Sequence, residues 1–384
     1  DGEVGMHLAE ALEHGDHNIT IVDPHEELLK MIETQSDLMT IVGDSTSISV
    51  LQQANVKKAD LVIAVLHDEH INLLTGILAK KLGAKKVIVR VNTMESLSKE
   101  SWRIYQDLGI DGIVSPEDIA AQEIINLLKQ NVATEAHDFA GGKLELLMIK
   151  LESTAKANNK TLEEIIENFK HIDFRALAIH RRQNTFIPKA NDVFMEGDLV
   201  YVITKPHAIK ELMQLSGKTK LSINNVMIVG GGRIGKLTAK RLENDLNIKI
   251  FEMNKERCNE LSNFLSDTLI INADARNVDL LEDEGIKDMD AFIAVTDNTE
   301  TNILTCLQAK SFGVKRTIAM VENIDYIDIS QNIGIDTIIN KKLIAASYMV
   351  RYTLGGNVSS LKCLSGIDAD IVEFVVRDGA AVTS

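Results

Sequence analysis

Residues 71–86 read INLLTGILAKKLGAKK, and residues 301–316 read TNILTCLQAKSFGVKR. Seven of these 16 aligned positions are identical, among them Asn72/Asn302, Thr75/Thr305, Lys80/Lys310 and Gly83/Gly313, all at an offset of 230. The same offset carries Gly5 onto Gly235, Asp44 onto Asp274, and Ala59-Asp60 onto Met289-Asp290. It slips to 225 where Leu108-Gly109-Ile110-Asp111 meets Ile333-Gly334-Ile335-Asp336, which marks a small deletion in the second copy. The chain is therefore a duplication of a unit of about 130 residues, and whatever one copy folds into, the other must fold into as well.

The second copy shows what that unit is. Val226 to Val229 is a short apolar run, the pattern of a strand buried on both faces. It enters Gly230-Gly231-Gly232-Arg233-Ile234-Gly235, a G-x-G-x-x-G loop, and Leu237, Ala239 and Leu242 then recur at helical spacing. A second strand, Ile248 to Glu252, ends on an acid. Strand, glycine loop, helix, strand and acid in this order form the dinucleotide-binding fingerprint. Gly230 permits the tight turn, Gly232 lets backbone approach a pyrophosphate, and Gly235 lets helix and strand pack closely. The helix start supplies free N–H groups and partial positive charge for phosphates. Glu252 is placed to accept ribose hydroxyls, which disfavours a 2′-phosphate.

Two further apolar runs end in Asn272-Ala273-Asp274 and in Thr296-Asp297, at carboxyl ends of strands where such sheets bind ligands. Asp274 suits the adenine amino group, and Thr296 suits the pyrophosphate or nicotinamide side. Helix capping is the competing role for Asp274, Thr296 and Asp297.

The first copy opens inside its glycine loop, at Asp1, Gly2, Glu3, Val4 and Gly5, and is read as lacking its first strand and first glycine. Its second strand, Ile19 to Asp23, ends on the matching acid; Met39 to Val42 leads into Gly43-Asp44, and Leu61 to Leu66 leads into His67-Asp68. Val87 to Val89 leads into Arg90, a cation suited to a phosphate; position 320 of the second copy is Met, so the two sites are chemically unequal.

Between the copies the pattern changes. Leu144 to Leu151, Phe174 to His180 and Leu199 to Ile203 are strand-like, and Thr161 to Ile166 starts a helix with a capping-box pattern. Arg181-Arg182 ends one of these strands, either as a solvated end or as an anion site, and Gly197-Asp198 forms a turn. A similar strand, Ile371 to Val376, begins near the other end of the sequence. The expected fold is α/β: two Rossmann-like doubly wound parallel-sheet domains, 1–134 and 222–358, each followed by a small α+β module, 135–216 and 359–384, the second cut short. Residues 116–130 and 341–352 read as helices that either close their own domain or swap between neighbours.

Composition removes several alternatives. The formal net charge of −15 repels phosphate backbones and anionic lipid heads, which argues against nucleic acid as a partner. No apolar run approaches the ~18 residues of a membrane span, so direct membrane insertion is not expected. Three widely spaced cysteines, Cys258, Cys306 and Cys363, suggest small buried side chains in a reducing compartment rather than a disulfide or zinc framework.

In this order of parts the chain resembles the TrkA-type regulatory subunits, built from paired potassium-conductance-regulating (RCK) domains. The likeness rests on Gly2-Glu3-Val4-Gly5, Asp23, Gly43-Asp44, Asp68 to Asn72, Arg90, Gly230 to Gly235, Glu252, Asp274, and Val295-Thr296 through Asn302, with Arg181-Arg182 and Gly197-Asp198 in the middle module. It implies a non-enzymatic, nucleotide-sensing subunit of a potassium uptake system. The implied ligands are NAD+ or NADH, and ATP or ADP. The implied partners are further copies of the chain in a tetrameric ring and a TrkH- or TrkG-like potassium-translocating subunit. The implied location is cytoplasmic, on the inner face of the plasma membrane. Leu66 stands where the family often has Thr, and Asn272-Ala273-Asp274 replaces the usual Gly-Asp. The rival reading, a nicotinamide-dependent oxidoreductase, needs a general acid or base beside the nicotinamide. His67 is its best candidate and a plain loop residue is the competing role; the second copy has Asp297 at that place. A scaffold with degenerate sites is the third class.

Overall fold

The computed structural model describes every residue except 1–2, 14–16, 36–37, 130–134, 171, 182–183, 218–222, 351, 353–357, 364–369 and 377–384. The chain divides into two compact units, one of Asp1–Ile119, Lys341–Cys363 and Asp370–Ser384, the other of Ala120–Asn340 and Leu364–Ala369.

The second unit contains the complete Rossmann sheet. Its six parallel strands run β1 (Asn225–Val229), β2 (Asn247–Glu252), β3 (Thr268–Asn272), β4 (Ala291–Ala294), β5 (Arg316–Met320) and β6 (Thr337–Ile339). Their spatial order is β3-β2-β1-β4-β5-β6. The order reverses between β1 and β4, which opens a crevice at their carboxyl ends. Every residue of β4 and β5 is buried, as a parallel sheet covered on both faces requires. Helix α1 (Arg233–Leu242) buries Ile234, Leu237, Ala239 and Leu242 along one stripe.

Glu243 follows α1 and is buried. Its carboxylate accepts from Lys240 Nζ (2.8 Å), from the amides of Ser266 (2.9 Å) and Asp267 (3.0 Å), and from Thr268 Oγ1 (3.2 Å). Burial by itself pushes this carboxyl up, but the Lys240 ammonium and the Asp267 and Ser266 amides hold it below the ordinary glutamate value. A carboxyl lowered on folding stabilises the unit fully above the unfolded pKa of ~4.3 and loses that contribution as pH falls through the folded value. Acid unfolding followed by circular dichroism should therefore show a second unit that weakens below about pH 4.3. Glu243→Gln should be less stable at pH 7 and should flatten this part of the profile.

The first copy repeats these elements. Thr20–Asp23 pairs with Met39–Val42, and Leu61–Ala64, Lys86–Arg90 and Gly112–Val114 form a parallel trio. These correspond to β2–β3 and to β4–β6. The two small sheets are separate among the described residues. The same ion pair pins both copies: Lys80 to Asp111 (2.8 Å) and Lys310 to Asp336 (2.6 Å), with each aspartate also accepting the amide of Val87 or Thr317.

The crossover helices do not close their own sheets. Helix Lys341–Val350 belongs to the first unit, where Ala345, Ala346, Met349 and Val350 pack with Val4, Leu8, Ile88 and Val114. Helix Pro116–Lys129 passes into the second unit at Ala120; there Gln122 Oε1 accepts from Arg241 (3.2 Å). The exchange left open by the sequence thus occurs within one chain.

The middle module is a five-stranded antiparallel sheet in the order Glu135–Phe139, Leu144–Lys150, Leu199–Thr204, Phe174–Arg181, Asn184–Phe186. Thr161 and Glu164 form the expected capping box. Arg181 is neither a solvated strand end nor a free anion site. Its guanidinium makes two 2.7 Å bonds to the carboxylate of buried Asp198 and a third to the Val193 carbonyl. Arg182 lies outside the described residues. Beyond the second copy, Val358–Cys363 pairs antiparallel with Asp370–Phe374, so the expected strand ends before Val375.

Candidate functional site

A cleft of about 550 Å³, counting the part open to solvent, lies at the β1/β4 switch point. Its walls include Gly230, Gly232, Glu252, Arg257, Asp274 and Thr296.

The three fingerprint glycines are required for different reasons. Gly230 has φ +103, and a Cβ there would lie 2.9 Å from the Val295 carbonyl. A Cβ on Gly235 would fall 2.0 Å from the Gly230 carbonyl oxygen, so helix and loop touch without room for a methyl. At Gly232 a Cβ would meet nothing within 4 Å. Its open side lies along the cleft, at the N-cap of α1, where backbone N–H groups are free for an anion. Gly232→Ala should thus leave thermal stability nearly unchanged while weakening nucleotide binding by about tenfold or more, because the methyl occupies the phosphate's approach. Calorimetry on the folded variant checks this. Ile234 is buried on the inner face of α1, and Arg233 is exposed at its first turn.

Glu252 is buried at the tip of β2. One carboxylate oxygen accepts the Gly231 amide (2.9 Å) and the other the Asn254 amide (2.7 Å). Each oxygen retains acceptor capacity for a ribose hydroxyl. Arg257, not singled out by sequence, lies 3.7 Å from this carboxylate and lines the same wall. Asp274 is engaged by Arg276, whose guanidinium meets both carboxylate oxygens at 2.7–3.0 Å. The Arg276 side chain holds the Asp274 carboxyl below its usual range. An adenine amino group must share this acid with Arg276. Neither arginine was legible as a site residue: counted from the strand-end acids Asp23 and Glu252, Arg257 matches Leu28, and at the offset of 230 Arg276 matches Thr46.

Helix capping at these positions falls to other residues. Asn277 and Asn298 are the N-caps, not Asp274, Thr296 or Asp297. Thr296 is gripped by buried Asn302. Asn302 Oδ1 accepts the Thr296 amide (2.9 Å) and hydroxyl (2.7 Å), while its Nδ2 donates to the carbonyls of Thr296 and Met320, both at 2.9 Å.

In the first copy, Asp1, Gly2 and the side chain of Glu3 lie outside the described residues. Val4 is buried in the helix that follows the loop, and a Cβ on Gly5 would lie 3.5 Å from Val65 Cγ2. Asp23 is buried at its strand end, its carboxylate accepting the His25 amide (2.8 Å). Asp44 accepts the Thr46 amide (2.8 Å) and hydroxyl (2.7 Å). The Thr46 amide and hydroxyl lower the Asp44 pKa. Leu66 is held by Asn72 as Thr296 is by Asn302. His67 is exposed. Arg90, expected to face a phosphate, is buried instead and bonds Glu117 (3.2 Å) and Asn92 (3.2 Å). Burial pushes the thiols of Cys258 and Cys306 up, as expected of small core residues. The side chain of Cys363 lies outside the described residues.

A glycine loop, a helix start and a buried acid at the switch point of a β3-β2-β1-β4-β5-β6 sheet define the nucleotide-binding Rossmann class, here duplicated. Comparison with known proteins narrows the class. The TrkA-N domain model matches residues 2–116 and 226–341, and the TrkA-C domain model residues 146–217. Trk system potassium uptake protein TrkA of Halomonas elongata is 30% identical over 98% of this chain and 82% of its own length. The TrkA homolog of Archaeoglobus fulgidus is 30% identical over 98% and 84%. The chain belongs to the TrkA family of potassium uptake proteins. Among solved structures, the GsuK RCK domain superposes with a TM-score of 0.65 at 19% identity, covering 90% of this chain and 73% of that one. The GsuK channel bound to NAD gives the same score and identity over 91% and 61%. At this identity the likeness concerns the fold, which is that of RCK domains.

Proposed function

We propose that the chain is a nucleotide-sensing regulatory subunit of a Trk-type potassium uptake system. The observation that carries this reading is the second cleft, where Gly232 leaves open backbone at a helix start opposite the buried Glu252. The ligand is NAD+ or NADH, with ATP or ADP as the alternative adenine nucleotides. The phosphates sit on the start of α1, the ribose on Glu252, and the adenine beside Asp274. In the first site Asp23 and Asp44 take the corresponding roles. The chain works as a ring of copies, a tetramer, on the cytoplasmic face of a TrkH- or TrkG-like membrane subunit. No helix among the described residues is long and apolar enough to cross a membrane itself. No catalytic step is assigned: His67 stands exposed on its loop, and copy two has Asp297 in its place.

Regulation follows from differential affinity. A nucleotide shifts the ring between two states only as far as it binds one better, and couplings of about 1–3 kcal/mol are typical. The test is potassium flux through the cognate pore reconstituted with this protein. NADH and ATP should change flux severalfold in wild type and have no effect with Glu252→Ala and Asp23→Ala combined. Flux indifferent to all four nucleotides contradicts the regulatory reading.

A further inference from the structure

Asn72 and Asn302 are fully buried, identical in the two copies, and used by no step above. Each sits in the first turns of the helix after the fourth strand and holds two places together. Asn302 Nδ2 donates at once to the carbonyl of Thr296, on the cleft wall, and to the carbonyl of Met320, at the end of β5. Asn72 Nδ2 donates to the carbonyls of Leu66 (2.8 Å) and Arg90 (3.1 Å), the matching positions. A neighbouring side chain on the same turn makes a second link to the segment after that strand. In the second copy Thr299 Oγ1 accepts the Glu322 amide (3.2 Å). In the first copy the Glu69 carboxylate accepts the amides of Asn92 (2.6 Å) and Thr93 (3.0 Å), and Asn92 Nδ2 returns to the carbonyl of His67 (2.8 Å). The residues differ, Thr for Glu, yet the connection is the same.

We propose that this helix turn is a relay, with Asn302 and Thr299 as positioning residues that couple the nucleotide loop at Thr296 to residues 320–332. The inference rests on the nucleotide reading of the second cleft. The segment it reaches leads into helix Asp325–Asn332, which exposes Tyr326 and Ile329, with Ile333 exposed just after it. Three properties make the link a transmitter. The Asn302 side chain has no solvent access, so water cannot replace either carbonyl when the other moves. The Thr296 hydroxyl donates to Asn302 Oδ1; turning it toward a ligand phosphate removes that bond and changes how the amide is held. The β5 end is tied in turn to β6, through the Val321 amide on Ile339 (2.9 Å) and Asn340 Nδ2 on Glu322 (3.2 Å). In the first copy Leu66 has no hydroxyl, so only the backbone arms remain there.

Hydrogen exchange with mass spectrometry on the whole chain, with and without saturating NADH, tests the relay. In wild type NADH should slow exchange across 320–332 by about fivefold or more, as well as in the glycine loop. Thr299→Val keeps its shape, lines no part of the cleft, and should bind NADH within about twofold of wild type. In that variant the glycine loop should still gain protection, while the change across 320–332 shrinks to under about a third. Asn302→Asp, which keeps the acceptor to Thr296 but loses both donated bonds, should abolish the distant change. NADH binding to wild type without any change in 320–332, or Thr299→Val with the full change, overturns the relay alone. Failure of NADH to bind folded wild type overturns the nucleotide reading, and the relay with it.

Discussion

Gly235→Ala is expected to cost the second unit about 3 kcal/mol or more and to abolish nucleotide binding in its cleft. The added Cβ would lie 2.0 Å from the Gly230 carbonyl oxygen and 3.4 Å from Ile228 Cγ2. Neither is the free end of a flexible side chain: one is backbone in the loop, the other a buried strand residue. Relief requires α1 to lift from the sheet, which exposes Ile234, Leu237 and Leu242 and displaces the helix start that receives the phosphates. The neighbouring Gly232→Ala weakens binding by about tenfold or more with little loss of stability. The pair therefore separates a glycine needed for packing from one needed for ligand approach. Urea unfolding of both variants with nucleotide titration measures the difference. Equal stability for the two would contradict the geometry.

The second large effect is expected at Asp198, far in sequence from any glycine loop. Its side chain is 1% exposed and receives two bonds from Arg181 and one from the Met195 amide. Arg181 is in turn held charged, first by its bond to Asp198. Asp198→Ala removes one half of a buried pair and leaves a partly buried guanidinium and an amide without acceptor. A loss of about 3–5 kcal/mol follows, confined to the middle module. Arg181→Met, of similar length and without charge, should cost as much or more, since it strands the carboxylate. Chemical unfolding with hydrogen exchange on residues 135–216 reads both. Loss of nucleotide affinity without loss of module stability would show that Arg181 serves a ligand after all.

The periodic features were the legible ones. The offset of 230 located both Rossmann copies, and short apolar runs placed the strands to within a residue or two at most ends. The run Leu61 to Leu66 overshot because the strand ends at Ala64 and Leu66 is held by Asn72, a side-chain bond that hydropathy does not encode. Glu252 and the glycines could be read because each answers a backbone or hydroxyl requirement repeated in many proteins. The Asp274–Arg276 and Arg90–Glu117 pairs could not. A charged residue at a strand end looks the same in sequence whether it faces a ligand or a neighbour, and Glu117 is 27 residues from Arg90. The exchange of crossover helices was equally silent, because an apolar helix face fits either sheet.

The central claim is that the second cleft binds an adenine nucleotide through Glu252. Calorimetric titration of the purified protein with NADH, NAD+, ATP and ADP, repeated on Glu252→Ala, tests it most directly. Micromolar binding of at least one nucleotide, weakened about tenfold or more in one class of sites by the substitution, is the predicted result. No binding by any of the four to the folded protein, or binding indifferent to Glu252→Ala, would contradict it.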